Sequence, residues 1–251
     1  MTTAKTLSEH ADDLEQQQMD ELGDRIIARA LLYNLAEGER VTGVSSPQTE
    51  DQYLLMGEDP RLPQMPDKPT LKDFFKYRFA PNQQHVLQSA NLAMKNGLPE
   101  NMILACLLHD IAVIGFIRGD HGYWGAQLLE PYVDEEVSWA IRTHQALRFF
   151  ADPSVGYEYP ASYRKFFGED YQPEPYIVDE YERAKNHKWY MSARMICVND
   201  LYSFDADVKI EIDQFDDIIG RHFRQPEEGL GNDNSPTSHM WRTMRRPSSA
   251  L

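Results

Sequence analysis

The strongest constraint on this chain is a repeated spacing of metal-ligand residue types. His85 lies 24 residues before the adjacent pair His109-Asp110, and His121 lies 23 residues before His144. Each interval holds one turn signal, Gly97 to Pro99 in the first and Pro131 in the second. Antiparallel helices of this length, joined by a short turn, bring the ends of each interval together. Asp200 adds a carboxylate in an apolar context, MICVNDLYSF, where an unpaired charge is costly. Taken singly, each residue is equally a capped helix end, a surface histidine or a hydrogen-bonded core group. As a set, His85, His109, Asp110, His121, His144 and Asp200 offer six N/O ligands, enough for two metal ions.

The intervening sequence reads as helix throughout, so the expected fold class is all-α. NQQHVLQSANLAMKNG has apolar residues at helical spacing and stops at Gly97. LPENMILACLLHD opens with Pro99 and is apolar almost all round, as a buried helix would be. HGYWGAQLLE forms a third helix, and Asp134 is placed to cap a fourth, DEEVSWAIRTHQALRFF. The aromatic and proline-rich stretch 151–178 is expected to fold over the site. A long helix then runs from about Asp179 through Asp200, and a last one spans about 210–222.

Outside this core the expectations differ. Residues 1–42 form an amphipathic helix, packed on its own domain or serving as a homodimer contact. Residues 43–70 are a Pro-, Ser- and Asp-rich linker, residues 71–224 the catalytic core, and residues 225–251 a disordered tail with an anchor at Met240 and Trp241.

Composition removes several function classes. The formal net charge of -15 repels phosphate backbones, which argues against a nucleic-acid partner. It leaves room for a small anionic substrate held by local arginines or lysines. No apolar stretch approaches the roughly 20 residues of a membrane span, and the polar N-terminus lacks a signal-peptide core. Two cysteines inside apolar runs suit a reduced compartment, so the expected location is cytoplasmic.

These motifs resemble those of the HD-domain metalloproteins over about residues 80–210. The family pattern H…HD…D is matched by His85, His109, Asp110 and Asp200. The additional His121 and His144 place the chain beside members with a dinuclear site. That group divides into phosphohydrolases and mixed-valent diiron oxygenases of the organophosphonate-cleaving and myo-inositol oxygenase type. HGYWGAQLLEPYV is similar to the oxygenase segment H-x-x-x-G-A-x-x-L, HQALRFF to H-x-x-x-K-R-Y, and YPASYRKF to S-P-A-S. Many hydrolytic members carry lysine soon after the pair, as in HDIGK, where this chain reads HDIAVIG.

The resemblance implies an HD-domain helical bundle holding two Fe ions, Fe(II)/Fe(III), with O2 as co-substrate and Asp110 as the bridging, catalytic carboxylate. It implies a small hydroxylated, anionic, organophosphonate-like substrate. Arg148 stands where the phosphonate enzymes hold a substrate-binding lysine, one helical turn beyond His144. Ser162, Arg164, Lys165 and Tyr77 are further candidates for contacting substrate. The phosphonate enzymes also place a tyrosine and a glutamate before the first histidine. Here FKYRFAPNQQH offers Tyr77 or Phe75 but no glutamate, which implies a different substrate. The alternatives are a metal-dependent phosphohydrolase acting on a nucleotide or other phosphate ester, and a non-catalytic regulator on a degenerate HD fold.

Overall fold

The computed structural model describes Asp13 and residues 65–78, 83–112, 120–161, 163, 170–201, 203, 205 and 207–245. The expected N-terminal helix, with its homodimer contact, and most of the linker lie outside the described residues. Those described fall into two compact units, one of residues 83–224 and one of residues 65–78 with 225–245.

Nine α-helices are described, with no strand among the described residues beyond one isolated bridge between Asp152 and Tyr157. The second unit holds α1 (Leu71–Tyr77) and α9 (Ser238–Arg245). The first holds α2 (Gln83–Lys95), α3 (Glu100–Leu108), α4 (His121–Leu129), α5 (Glu135–Leu147), α6 (Pro175–Ala184), α7 (Tyr190–Leu201) and α8 (Asp216–His222). None of the described helices is long and apolar enough to cross a membrane.

Within the first unit, α2 pairs with α3 and α4 with α5, while α7 packs on both hairpins. The α2–α3 turn ends at Gly97, whose φ of 70° is the left-handed conformation that glycine adopts without penalty. Helix α3 is buried along nearly its whole length, from Met102 to Leu108, which accounts for its lack of a polar face. Asp134 takes the cap position of α5, but its side chain makes no capping hydrogen bond.

The long helix expected from Asp179 is instead two helices, α6 and α7, separated by residues 185–189. Tertiary contacts reward that break. His187 stacks on Trp139 at 4.1 Å, and its Nδ1 accepts the Trp189 N–H at 3.2 Å. The expected 210–222 helix is likewise a 3-10 turn, Ile212–Phe215, running into α8.

In the second unit the stretch expected to be a tail is folded as far as Arg245. Trp241 is fully buried and meets Phe74 edge-on at 4.6 Å, so the anchor residues create a local core. Thr70 and Asp73 form a reciprocal capping box at the start of α1. Gln225 accepts the Leu71 N–H at 3.1 Å and donates to the Pro69 carbonyl at 3.1 Å. Gly229 is required here, because a Cβ would sit 2.7 Å from the Lys68 backbone. Residues 246–251 lie outside the described residues.

Candidate metal centre

Five helices deliver six candidate ligand side chains to one buried point of the first unit. His85 comes from the first turn of α2, His109-Asp110 from the end of α3, and His121 from the first residue of α4. His144 comes from the last turn of α5 and Asp200 from the last turn of α7. All six are buried, His109 and His144 completely.

The ligand atoms fall into two groups that share Asp110. His85, His109, Asp110 and Asp200 form one, and Asp110, His121 and His144 the other, with the ligand atoms of each within 4.8 Å of one another. The two carboxylate oxygens of Asp110 face different groups. Oδ2 lies 3.3 Å from His85 Nε2 and 3.6 Å from His109 Nε2. Oδ1 lies 3.1 Å from His121 Nε2 and 3.9 Å from His144 Nε2. Asp200 Oδ1 closes the first group, 2.7 Å from His85 Nε2 and 3.4 Å from His109 Nε2.

The tautomers favour cation binding. His109 Nδ1 donates to the Cys106 carbonyl at 2.7 Å, and His144 Nδ1 donates to the Ile141 carbonyl at 2.5 Å. With Nδ1 protonated, each ring presents a bare Nε2 lone pair to the centre. His109 Nε2 and Asp110 Oδ1 are buried without a well-directed hydrogen bond. Such atoms are costly unless something else satisfies them, and a divalent cation fits this N/O donor set.

The electrostatics of the protein without metal agree. Burial opposes the charge on Asp110, but His109 and His121 hold its carboxyl well below the usual range. Asp200 behaves alike, with Arg148, His109 and His85 overcoming burial. Burial would lower His85, yet Asp200 and Asp110 raise it to about 10. His144 is pushed well down by burial and by the neighbouring His121 and His109. Protons stand in for part of the positive charge the two carboxylates require.

The supporting shell was only partly foreseeable. Gly122 lets α4 approach α5, since a Cβ there would lie 2.8 Å from the Ile141 carbonyl and 3.0 Å from that of Arg142. The Gly122 N–H donates to Gln145 Oε1 at 3.0 Å, so the residues following His121 and His144 clasp one another. Asp120, just before His121, has a left-handed backbone with φ of 57°. That conformation is uncommon for a side-chain-bearing residue and sets the direction in which α4 starts. Arg194, wholly buried, donates to the Leu147 and Phe150 carbonyls at 3.0 and 3.1 Å and fixes the chain after α5. An arginine in the middle of an apolar run, ARMIC, was the available sequence signal. Cys106 and Cys197 are buried free thiols, pushed up to about 12 by burial.

Arg148 is buried at the centre, with Nε 3.3 Å from Asp200 Oδ2 and its guanidinium 5.0 Å over the Tyr163 ring. Ser162, Arg164 and Lys165 lie outside the described residues. Tyr77 belongs to the other unit, where Lys76 Nζ lies 4.9 Å over its ring.

The family model for the HD domain matches residues 83–208, which contain all six ligand side chains. Over 75 residues the chain is 33% identical to a dioxygenase from Leisingera caerulea, described as acting on 1-hydroxy-2-(trimethylamino)ethylphosphonate and forming glycine betaine. That alignment covers 26% of this chain and 38% of the relative, so the chain matches well under half of the relative's length.

Proposed function

The chain belongs to the HD-domain family, whose members are usually metal-dependent enzymes, and from that premise we propose that it is a diiron oxygenase. Its substrate would be a small hydroxylated anion of the phosphonate class, oxidised or cleaved with O2. The observation that carries this reading is Asp110, whose two oxygens address two separate ligand groups. A bridging carboxylate between two histidine-rich sites is the arrangement a coupled metal pair requires. The likeness to a phosphonate dioxygenase supports the choice of chemistry.

When bound, a mixed-valent iron pair supplies the activation of O2 toward a substrate C–H bond. The remaining tasks fall to the protein. His85, His109 and Asp200 would hold one ion and His121 and His144 the other, with Asp110 shared. The backbone carbonyls of Cys106 and Ile141 keep the His109 and His144 rings turned inward. Burial of all six side chains excludes bulk water, which strengthens each charge interaction inside. Arg148 would receive the anionic end of the substrate, for which a planar guanidinium is suited. Ser162, Arg164 and Lys165 remain candidates for the same anion.

The test is elemental analysis of the purified protein, EPR after partial oxidation, and O2 uptake against hydroxyphosphonates and polyols. The expected result is about two irons per chain, a mixed-valent signal, and O2 consumption that depends on substrate. Two divalent ions other than iron, with anaerobic hydrolysis of phosphate esters, would overturn it in favour of the phosphohydrolase.

A further inference from the structure

The side of α5 turned away from the metal centre borders a cavity that the proposed chemistry does not use. At 100° per residue, Arg142, Gln145 and Ala146 share one side of the helix, and His144 and Arg148 project from the other. A cavity of about 390 Å³ lies on the first side, reaching Trp124 of α4, Tyr176 of α6 and Phe149 beyond the end of α5. A second cavity of about 290 Å³ shares Arg142, Glu180 and Arg183 with the first and extends to the stacked Trp139 and His187. The larger cavity alone falls within the roughly 300–1,000 Å³ of small-molecule sites.

Its walls combine aromatic surface with one available cation. Tyr123 and Tyr176 are 43% and 57% exposed, and both border this cavity. The two acidic residues on the wall are engaged. Glu180 Oε2 accepts from Arg183 at 2.7 Å, and Asp120 Oδ1 accepts the Tyr176 hydroxyl at 3.2 Å. The Arg142 guanidinium lies 5.3 Å over the Tyr123 ring and pairs with no carboxylate among the described residues. In a chain of net charge -15, Arg142 is a cation set beside aromatic rings that no carboxylate pairs with among the described residues.

We propose that this cavity is a second binding site, separate from the metal centre, for a planar aromatic anion. The ring would lie among Trp124, Phe149 and Tyr176, and the carboxylate, or an equivalent oxyanion, would meet Arg142. The Arg142 guanidinium lies over the Tyr123 ring, and a guanidinium over an aromatic ring can still present its N–H donors to an anion. Every residue lining this cavity lies outside the six side chains of the metal centre.

The experiment is a titration of 1-naphthoate into the full-length, metal-loaded protein, followed by tryptophan fluorescence and calorimetry. Trp124, in the cavity wall, is the reporter. The expected result is saturable binding of one naphthoate per chain that survives removal of the metal by a chelator. Arg142→Gln should weaken it about tenfold or more, the usual worth of a charge-assisted contact. Arg221→Gln, at an exposed arginine paired with Glu100, should leave it unchanged, and the neutral 1-naphthalenemethanol should bind as weakly as naphthoate binds the Arg142 variant. No saturation at millimolar naphthoate, equal affinity in Arg142→Gln, or binding that disappears with the metal would each overturn the proposal.

Discussion

His121 and His144 face each other with their Nε2 atoms 3.1 Å apart. His144 donates its Nδ1 proton to the Ile141 carbonyl, so its Nε2 is a bare lone pair. The His121 nitrogen lies as close to Asp110 Oδ1, also at 3.1 Å. Three electron-rich atoms converge where one cation would satisfy them all. The second of the two groups that could hold a metal ion is therefore built into the packing of α4 on α5.

Metal stoichiometry should separate the two groups. His144→Ala removes a ligand of one ion only, and the expected content is about one metal per chain. Asp110→Ala removes the shared carboxylate, and both ions should be lost or bound far more weakly. Elemental analysis of the purified variants decides this. Equal metal content in Asp110→Ala and wild type would refute the bridging role.

Two glycines about 4.5 Å apart in rise along α4 should respond differently to alanine. At Gly122 the new methyl would press on the Ile141 and Arg142 carbonyls at 2.8 and 3.0 Å, forcing α4 away from α5. Gly122→Ala should therefore lose the ion held by His121 and His144 and cost about 1–3 kcal/mol of stability. At Gly125 the nearest atoms are 3.6 Å and beyond, ordinary contact. Gly125→Ala should keep its metal, and a thermal melt with metal analysis distinguishes the pair.

The protein without metal should lose stability as the pH rises above neutrality. Burial opposes the charge on His85, but Asp200 and Asp110 raise it from 6.5 to about 10. A folded-state value above the unfolded one contributes stability that is complete below the unfolded value and is lost as the pH climbs through the folded value. The melting temperature of the chelator-treated protein should fall between about pH 7 and pH 10, and less so in His85→Gln. Metal uptake in the same window should release protons and tighten with rising pH, because the ligands must be deprotonated. A metal-free melting temperature that rises across this range would contradict the assignment.

The C-terminal segment should matter to its own unit. Trp241 is fully buried against Phe74, so Trp241→Ala should cost about 3–5 kcal/mol there. The same substitution in a disordered tail would cost nothing, and urea denaturation monitored by circular dichroism measures the difference.

Periodicity, turn residues and ligand spacing were enough to read α2 to α5, and the six side chains that the structure gathers at one point, from the sequence, because each is a local pattern repeated along the chain. His85, His109, Asp110, His121, His144 and Asp200 carry their chemistry in their side chains and their placement in the helix period. The break between α6 and α7 was not legible, since it depends on His187 reaching Trp139, 48 positions away. The fold of residues 225–245 was hidden for the same reason, as Trp241 reads as no more than an anchor until Phe74, 167 positions earlier, is packed against it. Local sequence determined helices α2 to α5 and which side chains could hold metal. Tertiary packing alone decided that Asp110 faces two ligand groups, that Arg148 lies on Asp200, and that Arg142 is left beside an aromatic cavity, because each depends on distances between helices remote in the chain.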